Sequence, residues 1–300
     1  MHAGHPFVRF AGIQLATGDF DCAHPLLMHL IKVNGLDVEQ ALWLSFLFMA
    51  HWNEASGWMA FQHSEPFKTI PTLTVEKNRR NLHGGRVHQH IASLRANVEH
   101  YGSCLGFVTR GFTDDRVSNW RKLLATLENL YGNGRWGSFT TAELLHKVND
   151  IPVEPTDIAN QGSTGPADGI QRLFGKCDEV SMLDAYAQEA YTTVLANVNE
   201  RVSYMPEGRI DIGMIESILC DWSIMDRGLY YSGRNIDRQQ ERFVKEMMNR
   251  GVMLHELWEA REHVYQHRHL GEFGGWTGID KLRMSHFKRT REILWSHEKR

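Results

Sequence analysis

Residues 37–61 read D-V-E-Q-A-L-W-L-S-F-L-F-M-A-H-W-N-E-A-S-G-W-M-A-F, and this stretch decides the fold class. Asp37 and Gln40 have the spacing of a capping box, in which each side chain satisfies the other residue's backbone amide. The residues that follow, through Ala50, are apolar on nearly every side of a helical wheel. The spacing therefore predicts one central, buried helix over roughly 38–61. His51, Trp52, Asn53 and Glu54 come directly after the apolar run. They read either as the point where the helix emerges into solvent or as the wall of a site, because buried polar groups need partners.

Working outward, the remaining segments repeat the helical period. A first helix is expected near Ala23–Val33, ended by Gly35, after a loosely structured lead-in. Val87, Ile91, Leu94 and Val98 space a helix over 86–100, and Val117, Trp120, Leu124, Leu127 and Tyr131 space another that begins at Thr113 and is capped by Gly132. Gly132–Gly137 reads as a tight turn carrying Arg135 and Trp136, before a short helix capped by Thr140–Glu143. Further helices are expected over 178–202, around Glu216, over 236–265 with a break at Gly251, and over 279–295. No run of alternating strands stands out. The fold class is mainly α, a multi-helix globular bundle with long functional loops. The expected organisation is a lead-in over 1–36, a helical catalytic domain over 37–245 and a basic helical extension over 246–300.

Composition bounds the function. A chain of 300 residues with 42% apolar content can bury a substantial core, and a net charge of −3 with a pI near 6.6 demands no polyanionic partner. Four widely spaced cysteines without a C-x-x-C pattern read as reduced thiols. The longest apolar run, Ala41 to Ala50, is far short of the ~20 residues that a membrane span needs. No basic segment followed by an apolar stretch opens the chain, so a cytoplasmic location is expected, with no membrane partner. Seventeen histidines invite a metal, but the i, i+2 pairs His88/His90 and His267/His269 point to opposite sides of a helix. His255-Glu-Leu-Trp-Glu259 lacks the second histidine of a zinc helix. Neither a metal nor any other cofactor is expected. P-loop, dinucleotide-fold and nucleophile-elbow glycine motifs do not occur.

The densest chemistry lies in Glu216–Arg238, E-S-I-L-C-D-W-S-I-M-D-R-G-L-Y-Y-S-G-R-N-I-D-R. Ile215, Ile218, Leu219 and Trp222 share one helical face, and Glu216, Asp221 and Asp226 lie mainly off it. A glycine-bounded turn then carries Tyr230, Tyr231 and Arg234, ahead of Asp237 and Arg238. Two other stretches stand out. Asp157–Gly169 is polar and glycine-rich; it reads first as an ordinary loop, and otherwise as a loop that ends at a helix amino terminus, where unpaired backbone amides favour an anion. Lys77-Asn-Arg-Arg80 is either a solvated face or a phosphate contact.

In this order, Gly132-Asn-Gly-Arg-Trp136, Asn160-Gln-Gly-Ser-Thr-Gly-Pro166, Glu216-Ser-x-Leu-Cys-Asp-Trp222 and Tyr230-Tyr-x-Gly-Arg-x-Ile-Asp-Arg238 resemble the phage amino acid:DNA transferases. These are also called α-glutamyl/putrescinyl-thymine pyrophosphorylases, and the resemblance spans roughly 37–245. It implies thymine hypermodification in bacteriophage DNA. A separate kinase pyrophosphorylates 5-hydroxymethyluracil, and an amino acid such as glycine, or a polyamine, then displaces the pyrophosphate.

The resemblance implies a pyrophosphate cradle of Arg135, Arg234 and Arg238 with the backbone amides of Gly162, Ser163, Thr164 and Gly165, since the leaving group gathers negative charge. An amine must lose a proton to attack, which makes Glu216 and Asp221 candidate bases. Asp237 either joins them or orients an arginine. A base flipped out of the duplex would stack on Trp136, Trp222, Tyr230 or Tyr231, although Trp222 also fits the core. Backbone phosphates would fall to Lys77, Arg79 and Arg80. Two other readings of the same residues are a helical base-flipping DNA glycosylase-like enzyme and a non-catalytic DNA-binding module.

Overall fold

The computed structural model describes residues 4–78, 80, 82–156, 158, 164–177, 179–198, 208–265 and 279–291. Among these residues there are fourteen α-helices and no strand, so the chain is mainly α. In order they are α1 (Pro6–Thr17), α2 (Ala23–Val33), α3 (Val38–His51), α4 (Glu54–Gln62), α5 (Arg86–Tyr101), α6 (Cys104–Val108) and α7 (Arg116–Glu128). They continue as α8 (Arg135–Asn149), α9 (Thr164–Phe174), α10 (Val180–Asn197), α11 (Ile212–Asp226), α12 (Arg234–Arg250), α13 (His255–Tyr265) and α14 (Ile279–Thr290). None is long and apolar enough to cross a membrane.

The chain divides into two compact units. One comprises Ala23–Glu154 and Lys245–Ala260, and α3 is its centre, packing on α2, α4, α5, α6 and α8. The expected capping box is present: Asp37 Oδ1 accepts from the Gln40 amide at 2.9 Å, and Gln40 Oε1 accepts from the Asp37 amide at 3.1 Å. Every residue from Ala41 to His51 is buried. The expected single helix over 38–61 is, however, two. Trp52 adopts a left-handed backbone with φ 51°, and Asn53 Oδ1 accepts from the Ser56 amide at 2.9 Å to start α4. The reason for the turn is close packing, since a Cβ on Gly57 would lie 2.9 Å from the Phe48 Cα.

Two other helices also differ from the expected spans. α7 is capped by Asp115 and ends at Glu128, so Leu123 rather than Leu124 faces the core. α8 starts at Arg135, which places Arg135 and Trp136 in its first turn rather than in a loop.

The other unit comprises Met1–Cys22, Pro155–Val244 and Arg261–Arg300. Its centre is α11, against which α9, α10, α1 and a short 3-10 turn over Asp19–Asp21 pack. Phe7, Phe10 and Leu15 from α1 join Ile215, Ile218, Leu219 and Trp222 from α11 in one buried cluster. The segment expected to be a loose lead-in is therefore helical and part of the core. α9 approaches α11 where it has no side chains, because a Cβ on Gly169 would collide with the Leu219 carbonyl oxygen and one on Gly165 would meet Cys220 Sγ.

Candidate active site

The amino end of α12 is built around an acid from the far end of the chain. Gly18, left-handed with φ 69°, turns the chain out of α1 and delivers Asp19 into the interior, fully buried. Asp19 Oδ2 accepts from the Gly233 amide at 2.8 Å, and its Oδ1 accepts from the Ile236 amide at 3.0 Å. Two donors of an uncapped helix start are thus satisfied, and a negative charge sits at the positive end of the helix. The Tyr230 hydroxyl also donates to Asp19 Oδ2.

Asn235 links this acid to a second one. Its Nδ2 reaches Asp221 Oδ2 at 3.3 Å, the Tyr230 hydroxyl at 3.2 Å and the Asp19 carbonyl at 3.1 Å. Gln14 Nε2 closes the ring at 3.4 Å from the Tyr230 hydroxyl. Asp221 is buried, whereas Glu216 and Asp21 are half-buried, so the cluster reaches the surface through the latter two. Burial and then the neighbouring Asp19 charge hold the Asp221 carboxyl well above the usual range, and Asp21 and Glu216 push it the same way. Burial raises Asp19 too, against its hydrogen bonds. Asp19 and Asp221 have no cationic partner among the described residues. Such an arrangement attracts a cation and suits proton acceptance from a weak acid.

Beside it lies a second network. Asp237 is fully buried and receives the Tyr231 hydroxyl at 2.7 Å and Arg283 Nη1 at 2.8 and 2.9 Å on its two oxygens. Burial lifts its carboxyl to about 7, while the Arg283 guanidinium and the Tyr231 hydroxyl favour the charged form. The geometry is that of an ion pair, so Asp237 orients an arginine.

Of the site residues expected from sequence, Glu216, Asp221, Tyr230, Tyr231, Arg234, Asp237 and Arg238 fall together in this unit. Their environments redistribute the roles. Tyr230 and Tyr231 are 1% and 0% exposed and spend their hydroxyls on Asp19 and Asp237, so neither offers a ring face for stacking. Trp222 packs on Phe7 and Phe10 with centroids 5.6 and 5.8 Å apart, as a core residue. Arg234 is held by both Asp280 oxygens at 2.7 and 3.2 Å, whereas Arg238 is exposed and has no ion pair among the described residues. Thr164 and Gly165 open α9, where Gly165 is accounted for by packing on Cys220. Gly162 and Ser163 lie outside the described residues, as does Arg79.

Arg135, Trp136, Lys77 and Arg80 belong to the other unit. Lys77 is exposed, and half-buried Trp136 meets Trp52 edge-on at 5.1 Å. Arg80 is 6% exposed, which removes it from any surface that could follow a DNA backbone.

Asp19, Gln14, Asn235 and Arg283 were not singled out from sequence. One signal was available: Phe7, Phe10, Ala11, Gln14 and Leu15 follow i, i+3, i+4, i+7, i+8, a helical stripe with one polar member ahead of Gly18-Asp-Phe-Asp21.

Comparison with known proteins adds one match. A family model described as amino acid:DNA transferase covers residues 15–228, more than two thirds of the chain. It begins ahead of Asp19 and takes in Glu216 and Asp221, and it ends before Tyr230 and Arg234. No curated protein matches the chain.

Proposed function

The chain belongs to the amino acid:DNA transferase family, and from that premise we propose that it forms a C–N bond at the 5-methylene carbon of a thymine-type base in phage DNA. The amine is that of an amino acid such as glycine, or of a polyamine. The leaving group is the pyrophosphate of 5-pyrophosphoryloxymethyluracil, installed by a separate DNA-base kinase. The observation that carries this reading is the cluster around Asp221, in which two buried acids, without a cationic partner among the described residues, adjoin two half-buried ones. That charge pattern complements an ammonium group, the resting form of the nucleophile.

The chemistry divides as follows. The amine, deprotonated by a carboxylate, attacks the methylene carbon with its lone pair. The C–O bond breaks, and its electron pair leaves with the pyrophosphate oxygen. Asp221 and Glu216 are the proposed proton acceptors. Raising the Asp221 carboxyl narrows the gap between its affinity for a proton and that of the amine, which favours transfer. Asp19, Tyr230 and Asn235 position Asp221. Arg238 is the proposed phosphate contact in this unit, and Arg234 would serve only after leaving Asp280.

The test uses DNA carrying pyrophosphorylated 5-hydroxymethyluracil, a mixture of amines and a pyrophosphate assay. Amine-dependent release of pyrophosphate supports the reading. DNA binding without any release in the presence of each amine refutes it.

A further inference from the structure

Among the described residues, Arg80 is a buried cation without an acid. Its Nε and Nη2 have no hydrogen-bond partner there, and Nη1 reaches only the neutral Asn133 Oδ1 at 3.4 Å. Burial alone brings its guanidinium down to about 10, with no carboxylate raising it. An isolated buried charge is costly, and buried charges are ordinarily paired.

Its surroundings add positive potential. The Arg80 stem crosses Gly137 in the first turn of α8, where a Cβ would stand 2.7 Å from Arg80 Cδ and 3.0 Å from Asn133 Oδ1. Gly134 starts α8 without a side-chain cap, so a guanidinium lies at the positive end of a fifteen-residue helix. Asn133 is fixed in this orientation because its Nδ2 donates to the Leu127 carbonyl at 3.1 Å.

Two imidazoles complete the cluster. His90 Nδ1–H donates to the Tyr131 carbonyl at 2.7 Å, on the same turn that holds Arg80, and His51 Nδ1–H donates to the Leu47 carbonyl at 2.8 Å. Each is buried, and each Nε2 is without a partner among the described residues. Burial and the Arg80 charge keep both neutral, and His88 and Arg250 act on His51 in the same sense. The acids nearest in sequence are Glu54, at the start of α4, and Glu76, whose carboxylate takes the Asn53 amide at 3.3 Å. On α8, Glu143 pairs with Lys147 at 3.1 Å. No third His, Cys or acid joins the two histidines as a metal-binding group among the described residues.

We infer that Arg80, His51 and His90, gathered at the amino end of α8, form a binding site for a phosphate-type oxyanion, with a pyrophosphoryl group as its occupant. The identity of the occupant rests on the proposed function, whereas the anion site rests on the unit itself. Arg80 Nε and Nη2 donate to the anion, whose charge offsets the Arg80 field at the histidines. Each imidazole then takes a proton at Nε2 and becomes a further donor. Binding is therefore linked to proton uptake.

The experiment is calorimetry of the full chain with inorganic pyrophosphate at pH 6 and pH 8, in two buffers of different ionisation enthalpy. Binding tighter at pH 6, with proton uptake, is expected. Arg80→Met should weaken it at least about tenfold, the loss of one charge-assisted contact. His51→Gln with His90→Gln should abolish proton uptake and leave weaker binding. Arg80→Met also separates this role from a structural one, because removing an uncompensated buried charge should raise the melting temperature of the ligand-free protein. A lowered melting temperature, pyrophosphate affinity unchanged in Arg80→Met, or binding of glycine in place of pyrophosphate would each overturn the assignment. None of these readings needs DNA or turnover. Pyrophosphate binding without amine transfer would sink the proposed function alone, and amine transfer alongside unchanged pyrophosphate affinity in Arg80→Met would sink only this site. Comparing free pyrophosphate with pyrophosphorylated DNA as competitor distinguishes released product from the DNA-borne group.

Discussion

The residue that ties the acid network together is Asp19, which answers two backbone amides and a tyrosine at once. Asp19→Asn keeps the shape but can no longer accept from all three donors. Loss of about 1–3 kcal/mol in chemical denaturation is expected, with reduced turnover. Asp221 should behave in the opposite way. Its carboxyl is held up by burial and by neighbouring acids, so Asp221→Asn should stabilise the protein at pH 8 while cutting amine transfer by roughly 10²–10⁴. Glu216→Gln is its comparison. Whichever variant regains activity as pH rises, and free amine becomes abundant, has lost the group that takes the proton. Absence of rescue in both would remove the two as candidate bases. Asp221 was legible because it sits in a dense charged stretch on a helical period. Asp19 was not, because its partners lie more than two hundred positions away and no local pattern encodes them.

At the scale of elements, what could be read from sequence was what local spacing specifies. The Asp37/Gln40 capping box and the buried stripe of α3 follow from sequence alone. The break at Trp52 does not, since the apolar pattern runs on and only the crossing of Phe48 by Gly57 requires a turn. The same limit applies to two glycines. Gly165 was expected in a pyrophosphate cradle and Gly169 at the end of a polar loop, yet each allows α9 to lie on α11. Gly169→Ala should therefore cost about 3 kcal/mol, because the Leu219 carbonyl belongs to a helix backbone that cannot step aside. Thermal melting measures this directly. Arg80 was misplaced for a related reason: Lys77-Asn-Arg-Arg80 has the composition of a solvated face, and only tertiary packing buries its last residue.

For the whole molecule, two consequences follow from charge. His51 and His90 are both held at about 4, below their ordinary 6.5. In that window the unfolded chain binds protons that the folded chain refuses, so their contribution is present at neutral pH and lost as pH falls. Relative to a His51→Gln, His90→Gln variant, the native chain should lose on the order of 2 kcal/mol per histidine between pH 7 and pH 5. Urea unfolding of the two proteins across this range checks the difference, whatever other groups titrate. The net charge of −3 means that affinity for DNA must come from a local patch, and it should fall by about 0.9 logarithmic units per phosphate contacted for each tenfold rise in salt. The proposed reaction makes a new bond between an amino acid and DNA. It is tested most directly by incubating the protein with ¹⁵N-labelled glycine and DNA bearing pyrophosphorylated 5-hydroxymethyluracil, then digesting the DNA to nucleosides for mass spectrometry. A thymidine derivative that carries the label and forms only with active protein is expected. An unaltered nucleoside profile with glycine and with every other amine, in a preparation that binds the DNA, would contradict it.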